Sequence, residues 1–461
     1  MTRQRSLGGL TGGAKDQLLA DLRANKKATK DRRPAPARPK SAPKGKRAFD
    51  FSELPEVKQF KMQRAAADMM GIANPFFRPH DGIARNVSMI EGRECINFAS
   101  YNYLGLNGHP EVSAAAKAAI DQYGTSVSAS RIVAGERPIH RELEKKIAEL
   151  HGVEDAIAMV SGHATNVTAI GTLMSPKDLI ICDSLIHNSV TEGVKLSGAT
   201  RLTFPHNDLD ALEDLLNKVR HSHEHVLVVV EGLYSMDGDF PNLPKLIDIK
   251  RRHDVWLMVD EAHSVGVLGA HGRGLAEHYN IDPNEVEMWM GTFSKTLSGC
   301  GGYIAGSAAL IDYLKVAAPG FVFSVGLSAP LAASVMASID IMLREPERVK
   351  KLRENGHLFL ELAREKGLDT GPSAGYSVVP VVVGDSVQSV VLSNRLLEQG
   401  VNALPIIFPA VAEKSARLRF FITSEHTDEE IAKAVDLTAK CLEEVRAEGS
   451  QWAKLINKMG G

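Results

Sequence analysis

The chain has 461 residues, 44% of them hydrophobic, which is enough to bury a large core in more than one domain. No apolar run reaches the roughly 18–20 residues that cross a bilayer, and no secretory signal opens the sequence, so we expect a soluble cytoplasmic protein without a transmembrane segment. The four cysteines lie far apart and form no CxxC pair, which disfavours a structural zinc site and a disulfide framework.

The net charge of −2 conceals a basic N-terminal segment. Residues 1–49 contain 14 Lys or Arg and only three Asp, so this segment carries about +11 and predicts an interaction arm. Residues 14–30 could form a short helix, whereas residues 31–47 are rich in Pro, Lys and Arg and predict a disordered linker. A mitochondrial transit peptide is the alternative, which the three aspartates disfavour.

A helix at 54–70, a turn at 74–82 and a strand followed by a loop at 94–106 begin the globular part of the chain. Apolar runs then alternate with amphipathic stretches, and their continuous hydrophobicity is typical of strands that are covered on both faces. These runs predict a mostly parallel sheet in an α/β fold, with strands at 156–160, 178–182, 225–232, 255–261, 286–291 and 301–306.

The pattern changes near residue 335 and predicts a smaller α+β domain. Its elements are a long helix at 337–356, short strands at 378–384 and 416–423, and helices at 387–400 and 428–449. The predicted organisation is a basic disordered tail (1–49), an N-terminal helix and strand segment (50–100), a large domain (101–334), a small C-terminal domain (335–445) and a C-terminal tail (446–461).

Polar residues follow the predicted strands at their carboxyl ends, which is the edge of an open α/β sheet where ligands bind. Asp260 and His263 follow one strand, and Lys295 follows the next among hydroxyl residues and glycines. A carboxylate at the end of a buried strand is costly unless it meets a cation, although Asp260 could instead cap a helix. Burial lowers the proton affinity of a lysine, and a Schiff base requires a neutral amine.

Two further strand ends carry weaker signals. Gly162 and His163 lie in a turn of small residues before a helix, where backbone N–H groups could hold a phosphate or form an ordinary strand-to-helix turn. His187 lies in the loop after the strand at 178–182, and a lone histidine there more often packs than catalyses. The histidines of the HSHEH segment (221–225) sit in a charged stretch, and we expect no metal site.

An Asp-x-x-His followed 32 residues later by a Ser-Lys is typical of fold-type I pyridoxal-phosphate enzymes. From about residue 95 to 440 the chain resembles the α-oxoamine synthases, which include 8-amino-7-oxononanoate synthase, 5-aminolevulinate synthase, 2-amino-3-ketobutyrate CoA ligase and serine palmitoyltransferase. The resemblance implies the fold-type I transferase fold and pyridoxal 5′-phosphate as cofactor. The matching segments are NYLGL (102–106), SGHATN (161–166), EGLYSMDGD (231–239), DEAHSVGVLGAHGRG (260–274), GTFSKTL (291–297) and ARLRFFITSEHT (416–427).

The resemblance also implies a role for each matching residue. Lys295 would form the Schiff base and later remove the α-proton of the amino acid. Asp260 would pair with the pyridine nitrogen, His263 would bond the phenolic oxygen, and His187 would stack on the ring. The other implied contacts are Gly162 and His163 beside the cofactor and its phosphate, Ser235 and Thr292 as further cofactor hydrogen bonds, and Arg419, Ser130 and Asn102 toward the substrate.

The family is dimeric with its active site at the subunit interface, so a homodimer is implied. The segment at 321–330 resembles the stretch that reaches the partner's phosphate, and Ser324 fits that role. Val325 stands where some members have a second hydroxyl, and His163 stands where Phe or Tyr is common. These two departures leave the phosphate contacts open.

The implied reaction is similar to that of serine palmitoyltransferase: it joins a small amino acid to an acyl thioester and gives an α-amino ketone, CO2 and a free thiol. Ser130 falls where glycine-only synthases carry threonine, so serine or alanine becomes possible beside glycine, unless Ser130 merely packs its loop (124–136).

The acyl carrier could be CoA or an acidic acyl carrier protein, which the basic tail would attract. The alternatives are 8-amino-7-oxononanoate or 5-aminolevulinate synthase activity, an aminotransferase, and a non-catalytic subunit, which the presence of Lys295 disfavours. We expect no nucleic-acid partner.

Overall fold

The computed structural model describes residues 50–459, with the side chains of Ala66 and 450–459 excepted. The predicted tail, short helix and linker within 1–49 therefore lie outside the described residues. The chain forms two compact units, one ending at Gly71 and the other beginning at Ile72. In the first unit a short 3-10 turn (Phe51–Glu53) precedes helix α1 (Pro55–Met69), which confirms the helix predicted at 54–70.

The second unit contains three sheets among the described residues. Their strands are β1 (His80–Asp81), β2 (Val87–Ile90), β3 (Arg93–Asn97), β4 (Asp155–Met159), β5 (Leu179–Asp183), β6 (Thr200–Phe204), β7 (Val226–Glu231), β8 (Trp256–Asp260), β9 (Met288–Thr292), β10 (Gly302–Gly306), β11 (Val378–Val382), β12 (Val401–Asn402), β13 (Leu404–Ile406) and β14 (Arg417–Phe421).

The central sheet has seven strands in the order β4-β10-β9-β8-β7-β5-β6. Strands β5 to β9 pair in parallel, and β10 lies antiparallel between β4 and β9. The six predicted strands are all present within two residues of their expected ends, so the mostly parallel sheet is confirmed. Strand β6 was not predicted, because its exposed edge position leaves only Phe204 buried.

The core lies on both faces of this sheet because neighbouring strand residues point in opposite directions. Val228 and Val230 of β7 join one apolar cluster, whereas Leu227 and Val229 join the other. Full burial of such a side chain stabilises the fold by about 1.5–3 kcal/mol. The sheet is therefore a rigid platform for the loops at its edges.

Helices cover the sheet and complete the unit. The structure corrects the single helix predicted at 337–356, because Pro346 interrupts it between two helices. The helices are α2 (Pro110–Tyr123), α3 (Pro138–His151), α4 (Gly162–Leu173), α5 (Asn188–Ser197), α6 (Leu209–Val219), α7 (Leu243–His253), α8 (Leu275–Tyr279), α9 (Ala308–Ala317), α10 (Pro319–Val322), α11 (Ala329–Arg344), α12 (Glu347–Glu365), α13 (Ser386–Glu398) and α14 (Asp428–Met459).

Two smaller sheets complete the architecture. Strands β1, β2, β3 and β12 form one, and β11, β14 and β13 form an antiparallel one that carries Arg419. The predicted strands at 378–384 and 416–423 are confirmed. The boundary predicted at 334/335 falls within α11, α14 continues into the segment predicted as a C-terminal tail, and the proposed domain division stays a prediction. In the described part of the chain, no helix combines the length and hydrophobicity that crossing a membrane requires.

Candidate active site

The carboxyl ends of β4, β5, β7, β8 and β9 meet at one edge of the central sheet, since these strands run in the same direction. A cavity of about 310 Å³ lies there, which we call the edge cavity. It brings together residues that are far apart in the sequence. The predicted site residues that line it are Gly162, His163, His187, Asp260, His263, Thr292 and Lys295.

Lys295 lies in the turn after β9 and lines two cavities. One is the edge cavity, and the other, the side cavity, has a volume of about 360 Å³ and is lined also by Tyr101 and Asn102. Burial lowers the pKa of Lys295 from 10.5 to about 8, although Asp260 and Glu231 act in the opposite direction. This amine is therefore neutral far more often near pH 7 than an ordinary lysine, and its neutral form can attack a carbonyl carbon.

Asp260 ends β8 and is 4% exposed. Its Oδ2 accepts a hydrogen bond from Asn166 Nδ2 at 2.8 Å, and its Oδ1 accepts one from the Ala262 N–H at 3.0 Å. No described residue forms an ion pair with this carboxylate. A buried carboxylate without a cation is costly, so the site favours a ligand that brings a positive charge to Asp260.

His187 caps the N-terminus of α5 and is linked to Asp260 through two side chains. Its Nδ1 accepts from the Ser189 N–H at 3.3 Å and lies 2.7 Å from Ser189 Oγ. Ser189 Oγ in turn accepts from Asn166 Nδ2 at 2.9 Å. Because Nδ1 is an acceptor, the proton of the neutral imidazole belongs on Nε2. Burial favours that neutral form by lowering the pKa of His187.

His263 is fixed by Tyr103, whose hydroxyl lies 2.7 Å from His263 Nδ1. Burial holds the pKa of His263 well below its usual value, and Lys295 and Arg419 lower it further. The imidazole is therefore neutral. Burial also raises the pKa of the Tyr103 hydroxyl, so Tyr103 donates to Nδ1 and leaves the N–H of His263 on Nε2.

Ser235 and Arg419 contact each other. Arg419, on β14, donates from Nη1 to the Ser235 carbonyl oxygen at 2.9 Å, and its guanidinium lies 4.5 Å from the centre of the Phe421 ring. Its Nε is buried without a hydrogen-bond partner among the described residues. Arg419 thus keeps unused donor capacity.

Two glycines keep the backbone close to the edge cavity. A Cβ at Gly162, the first residue of α4, would lie 2.6 Å from Thr292 Oγ1. A Cβ at Gly301, whose φ is +132°, would lie 2.5 Å from the Met159 carbonyl oxygen. Any larger side chain would displace these neighbours.

Five predicted residues do not line the edge cavity in this single chain: Ser235 and Arg419, described above, and Asn102, Ser324 and Ser130. Asn102 lines the side cavity, donates to the Ala84 carbonyl oxygen at 3.0 Å and accepts from the Asn107 N–H at 3.0 Å. Ser324 lines a separate small pocket on the α10–α11 connection. Ser130 precedes a short π-helical turn in the neighbouring loop. Neither Ser324 nor Ser130 lines a cavity together with Lys295.

Two of the three HSHEH histidines, His223 and His225, have separate partners. His225 Nδ1 lies 3.0 Å from Asp178 Oδ1, and its ring stacks on Trp256 at 4.8 Å. His223 Nδ1 lies 3.2 Å from the Val219 carbonyl oxygen. These contacts account for both rings as packing residues.

Sequence reasoning missed three residues of the site. Asn166 and Ser189 hold Asp260 and His187, and Glu231 lines the edge cavity. Asn166 and Glu231 do lie in segments that resemble the synthases, but nothing in the residue pattern indicates their contacts.

Comparison with known proteins identifies the group to which this site belongs. The aminotransferase class I and II family matches residues 93–437. The chain is 37% identical over 357 residues to 8-amino-7-oxononanoate synthase 1 of Bacillus velezensis, covering 77% of this chain and 90% of that one. It is 40% identical over 352 residues to 4-hydroxy-2,2'-bipyrrole-5-methanol synthase PigH of Serratia sp., covering 76% of this chain but only 53% of PigH. The chain thus spans about half the length of PigH.

The fold is also similar to that of solved enzymes. The serine palmitoyltransferase of Sphingomonas wittichii superposes with a TM-score of 0.81 and 28% identity, covering 86% of this chain and 99% of that one. This chain belongs to the aminotransferase class I and II family and, within it, to the α-oxoamine synthases. It is an enzyme that depends on pyridoxal 5′-phosphate (PLP), a cofactor present in a solved serine palmitoyltransferase structure.

The edge cavity fits this cofactor. The Asp260 carboxylate, buried without a cation, matches a protonated pyridine nitrogen. The first turn of α4, which begins at Gly162, has backbone N–H groups that could bind the cofactor's phosphate. Lys295 supplies the amine that the cofactor's aldehyde requires.

Proposed function

We propose that this enzyme condenses a small amino acid with an acyl thioester, with loss of CO2, to give an α-amino ketone and a free thiol. The observation that carries the proposal is the position of Lys295 between two cavities, with Asp260 on the wall of one and Asn102 on the wall of the other. One cavity suits the cofactor and the other leaves space for the reacting substrates.

When bound, PLP withdraws electrons from the α-carbon of the amino acid. The protein's own groups have distinct tasks in the proposal. Asp260 would hold the ring nitrogen protonated, His187 would cover one ring face, and neutral His263 would donate to the cofactor from Nε2. Lys295 would be the base that removes the α-proton of the amino acid, a task that its lowered pKa supports.

The remaining cofactor contacts are proposed at the phosphate end and along the ring. Gly162 and His163 would offer the start of α4 to the phosphate, and Thr292 would bond the cofactor from the end of β9. Ser235 would add a further hydrogen bond from the loop after β7. Support comes from the way that Gly162 and Thr292 pack together.

For the amino acid we propose serine, alanine or glycine. Arg419 would clamp the carboxylate with its planar fork, and its unpartnered Nε supports this role. Asn102 would contact the substrate from the side cavity. Ser130, if brought in by a partner subunit, would leave room for a Cβ where a threonine would not.

We also propose that the enzyme is a homodimer with shared active sites. Ser324 and Ser130 lie away from Lys295 within one chain, so we infer that Ser324 serves the partner's phosphate. Mixing two inactive variants, Lys295→Ala and Ser324→Asp, tests this inference. A shared site regains about a quarter of wild-type activity, since half of the dimers are mixed and each mixed dimer has one intact site. No recovery, with mixed dimers verified by mass, would place Ser324 at its own chain's site.

We propose that the basic segment 1–49 attracts an acidic acyl carrier protein. Replacing its 14 Lys and Arg by Gln should raise KM for an acyl carrier protein substrate at low salt and leave KM for acyl-CoA unchanged. An equal KM for the carrier protein before and after replacement would refute the docking role. We also propose that the enzyme is located in the cytoplasm.

The decisive test of the activity is a substrate screen. The PLP-loaded protein is incubated with glycine, alanine or serine and with short or long acyl thioesters, and CO2, free thiol and ketone mass are measured. We expect CO2 and thiol in equal amounts, and neither with Lys295→Ala. Transfer of the amino group to a 2-oxo acid without thiol release would instead favour an aminotransferase, and a seven-carbon dicarboxylic monothioester with alanine as the preferred pair would favour 8-amino-7-oxononanoate synthase.

A further inference from the structure

Glu231 is a buried acid in the wall of the edge cavity that the proposed reaction does not use. It is the last residue of β7 and lies opposite Asp260 in the parallel register of β7 and β8. Both residues line the cavity, and Glu231 is 3% exposed. Two carboxyl groups therefore share one wall.

The contacts of Glu231 do not suit a negative charge. Its Oε2 accepts one hydrogen bond, from the Ser235 N–H at 3.0 Å, and its Oε1 is buried without a partner among the described residues. No described cation forms an ion pair with it. An ionised carboxylate in this position would be desolvated, half-bonded and beside a second carboxylate, and each of these conditions opposes ionisation.

We propose that Glu231 is a neutral carboxylic acid in the resting enzyme and that its Oε1–H donates a hydrogen bond into the edge cavity. The acceptor is a cofactor oxygen, which would satisfy a group that is otherwise buried and unpaired. The inference rests on the proposed function, because it assumes that PLP occupies the cavity. Glu231 is thereby a further positioning residue, and Asp260 is left as the single negative charge beside the ring.

The charged and titratable groups around Glu231 agree with this assignment. Burial, with a smaller contribution from the Asp260 carboxylate, raises the pKa of Glu231 to about 8, although the Ser235 N–H and Lys295 act in the opposite direction. The other titratable groups that face it are Asp183, Tyr234 and Arg419.

Infrared spectroscopy of the PLP-loaded protein without substrates tests the protonation state. We expect a protonated-carboxyl C=O band at neutral pH that Glu231→Gln removes and that fades at higher pH as the acid ionises, because burial raises the pKa of this carboxyl. The control Glu425→Gln replaces a partly buried acid outside both cavities and should leave that band in place. Identical neutral-pH spectra for wild type and Glu231→Gln would overturn the proposal.

Cofactor affinity tests the hydrogen bond itself. Glutamine keeps a donor at this position, so Glu231→Gln should hold PLP within about threefold of wild type, whereas Glu231→Ala should bind it about tenfold more weakly. Equal weakening by both variants would contradict a neutral donor. Neither the infrared measurement nor the PLP affinity measurement uses amino acid or thioester. If both give the expected results and the condensation assay fails, the failure counts against the proposed function alone. A protein that binds no PLP would overturn both.

Discussion

The side-chain amide of Asn166 donates a hydrogen bond of 2.8 Å to Oδ2 of Asp260. The same nitrogen reaches Ser189 Oγ at 2.9 Å, and Ser189 Oγ lies 2.7 Å from Nδ1 of His187. One asparagine thus orients the carboxylate proposed for the pyridine nitrogen and, through a serine, the histidine proposed for the ring face.

Asn166→Ala should weaken PLP binding about 5- to 100-fold, because it leaves Asp260 without one of its two hydrogen bonds and releases Ser189. Equilibrium dialysis of PLP against the variant measures the effect. The exposed Asn284→Ala is the control and should bind PLP as wild type does. Wild-type PLP affinity in Asn166→Ala would show that Asp260 is held in place by other contacts.

Asp260 also sets the proton affinity of Lys295. The carboxylate raises the pKa of this lysine against the larger effect of burial, which lowers it to about 8. In the cofactor-free protein Asp260→Asn should therefore shift the midpoint for modification of Lys295 by an amine-selective reagent to lower pH. The neutral amine reacts, so modification in wild type should rise as pH passes through about 8.

Surface Lys177, followed by mass spectrometry in the same samples, is the internal reference and should keep its midpoint. A rise in the Lys295 midpoint on loss of Asp260 would mean that the two side chains do not interact in the way that their burial implies.

The central sheet could be predicted from the sequence because its strands are continuous apolar runs that are followed by polar residues at their carboxyl ends. The edge strand β6 could not, since TRLTF alternates and only Phe204 is buried. The antiparallel direction of β10 is a property of chain connection, which apolar periodicity does not encode. The helix predicted across Pro346 was wrong because the amphipathic pattern continues through the proline while the backbone does not.

The residues of the site that stand at strand ends could be predicted from the sequence, but the hydrogen bonds that link their side chains could not. Lys295, Asp260, His187 and His263 each follow a strand, so their meeting at one edge follows from a parallel sheet. The bond between Tyr103 and His263 joins positions 160 residues apart, and no local pattern indicates it. Such pairs are fixed by packing of the whole unit.

Arg419 offers a test of substrate recognition. Arg419→Lys keeps the charge but loses the planar fork, so KM for the amino acid should rise about 10- to 100-fold while KM for the thioester changes little. Steady-state kinetics with each substrate varied in turn separates the two effects. Arg417→Lys is the matched control on the same strand, because Arg417 pairs with Asp237 and should affect stability rather than KM. An equal rise in both KM values for Arg419→Lys would show that Arg419 does not specifically bind the amino acid.

His206 joins two acids near the loops that carry His187 and Ser235. Its Nδ1 lies 2.9 Å from Asp183 Oδ1, and its Nε2 lies 2.9 Å from Asp239 Oδ2. Burial alone would lower the pKa of His206, but the hydrogen bonds to both carboxylates outweigh burial and raise the pKa to about 10. The histidine is thus a partly buried cation at neutral pH.

A folded-state pKa above the unfolded value of 6.5 means that protonated His206 stabilises the fold fully below pH 6.5 and that this stabilisation is lost as pH rises through about 10. His206→Gln should therefore reduce the free energy of unfolding by about 3 kcal/mol near pH 6, because it leaves two carboxylates without their cation. Urea unfolding across the pH range should give a difference from wild type that narrows toward pH 10, whereas the exposed His221→Gln should give none. A difference that stays constant with pH would mean that His206 contributes by packing and not by charge.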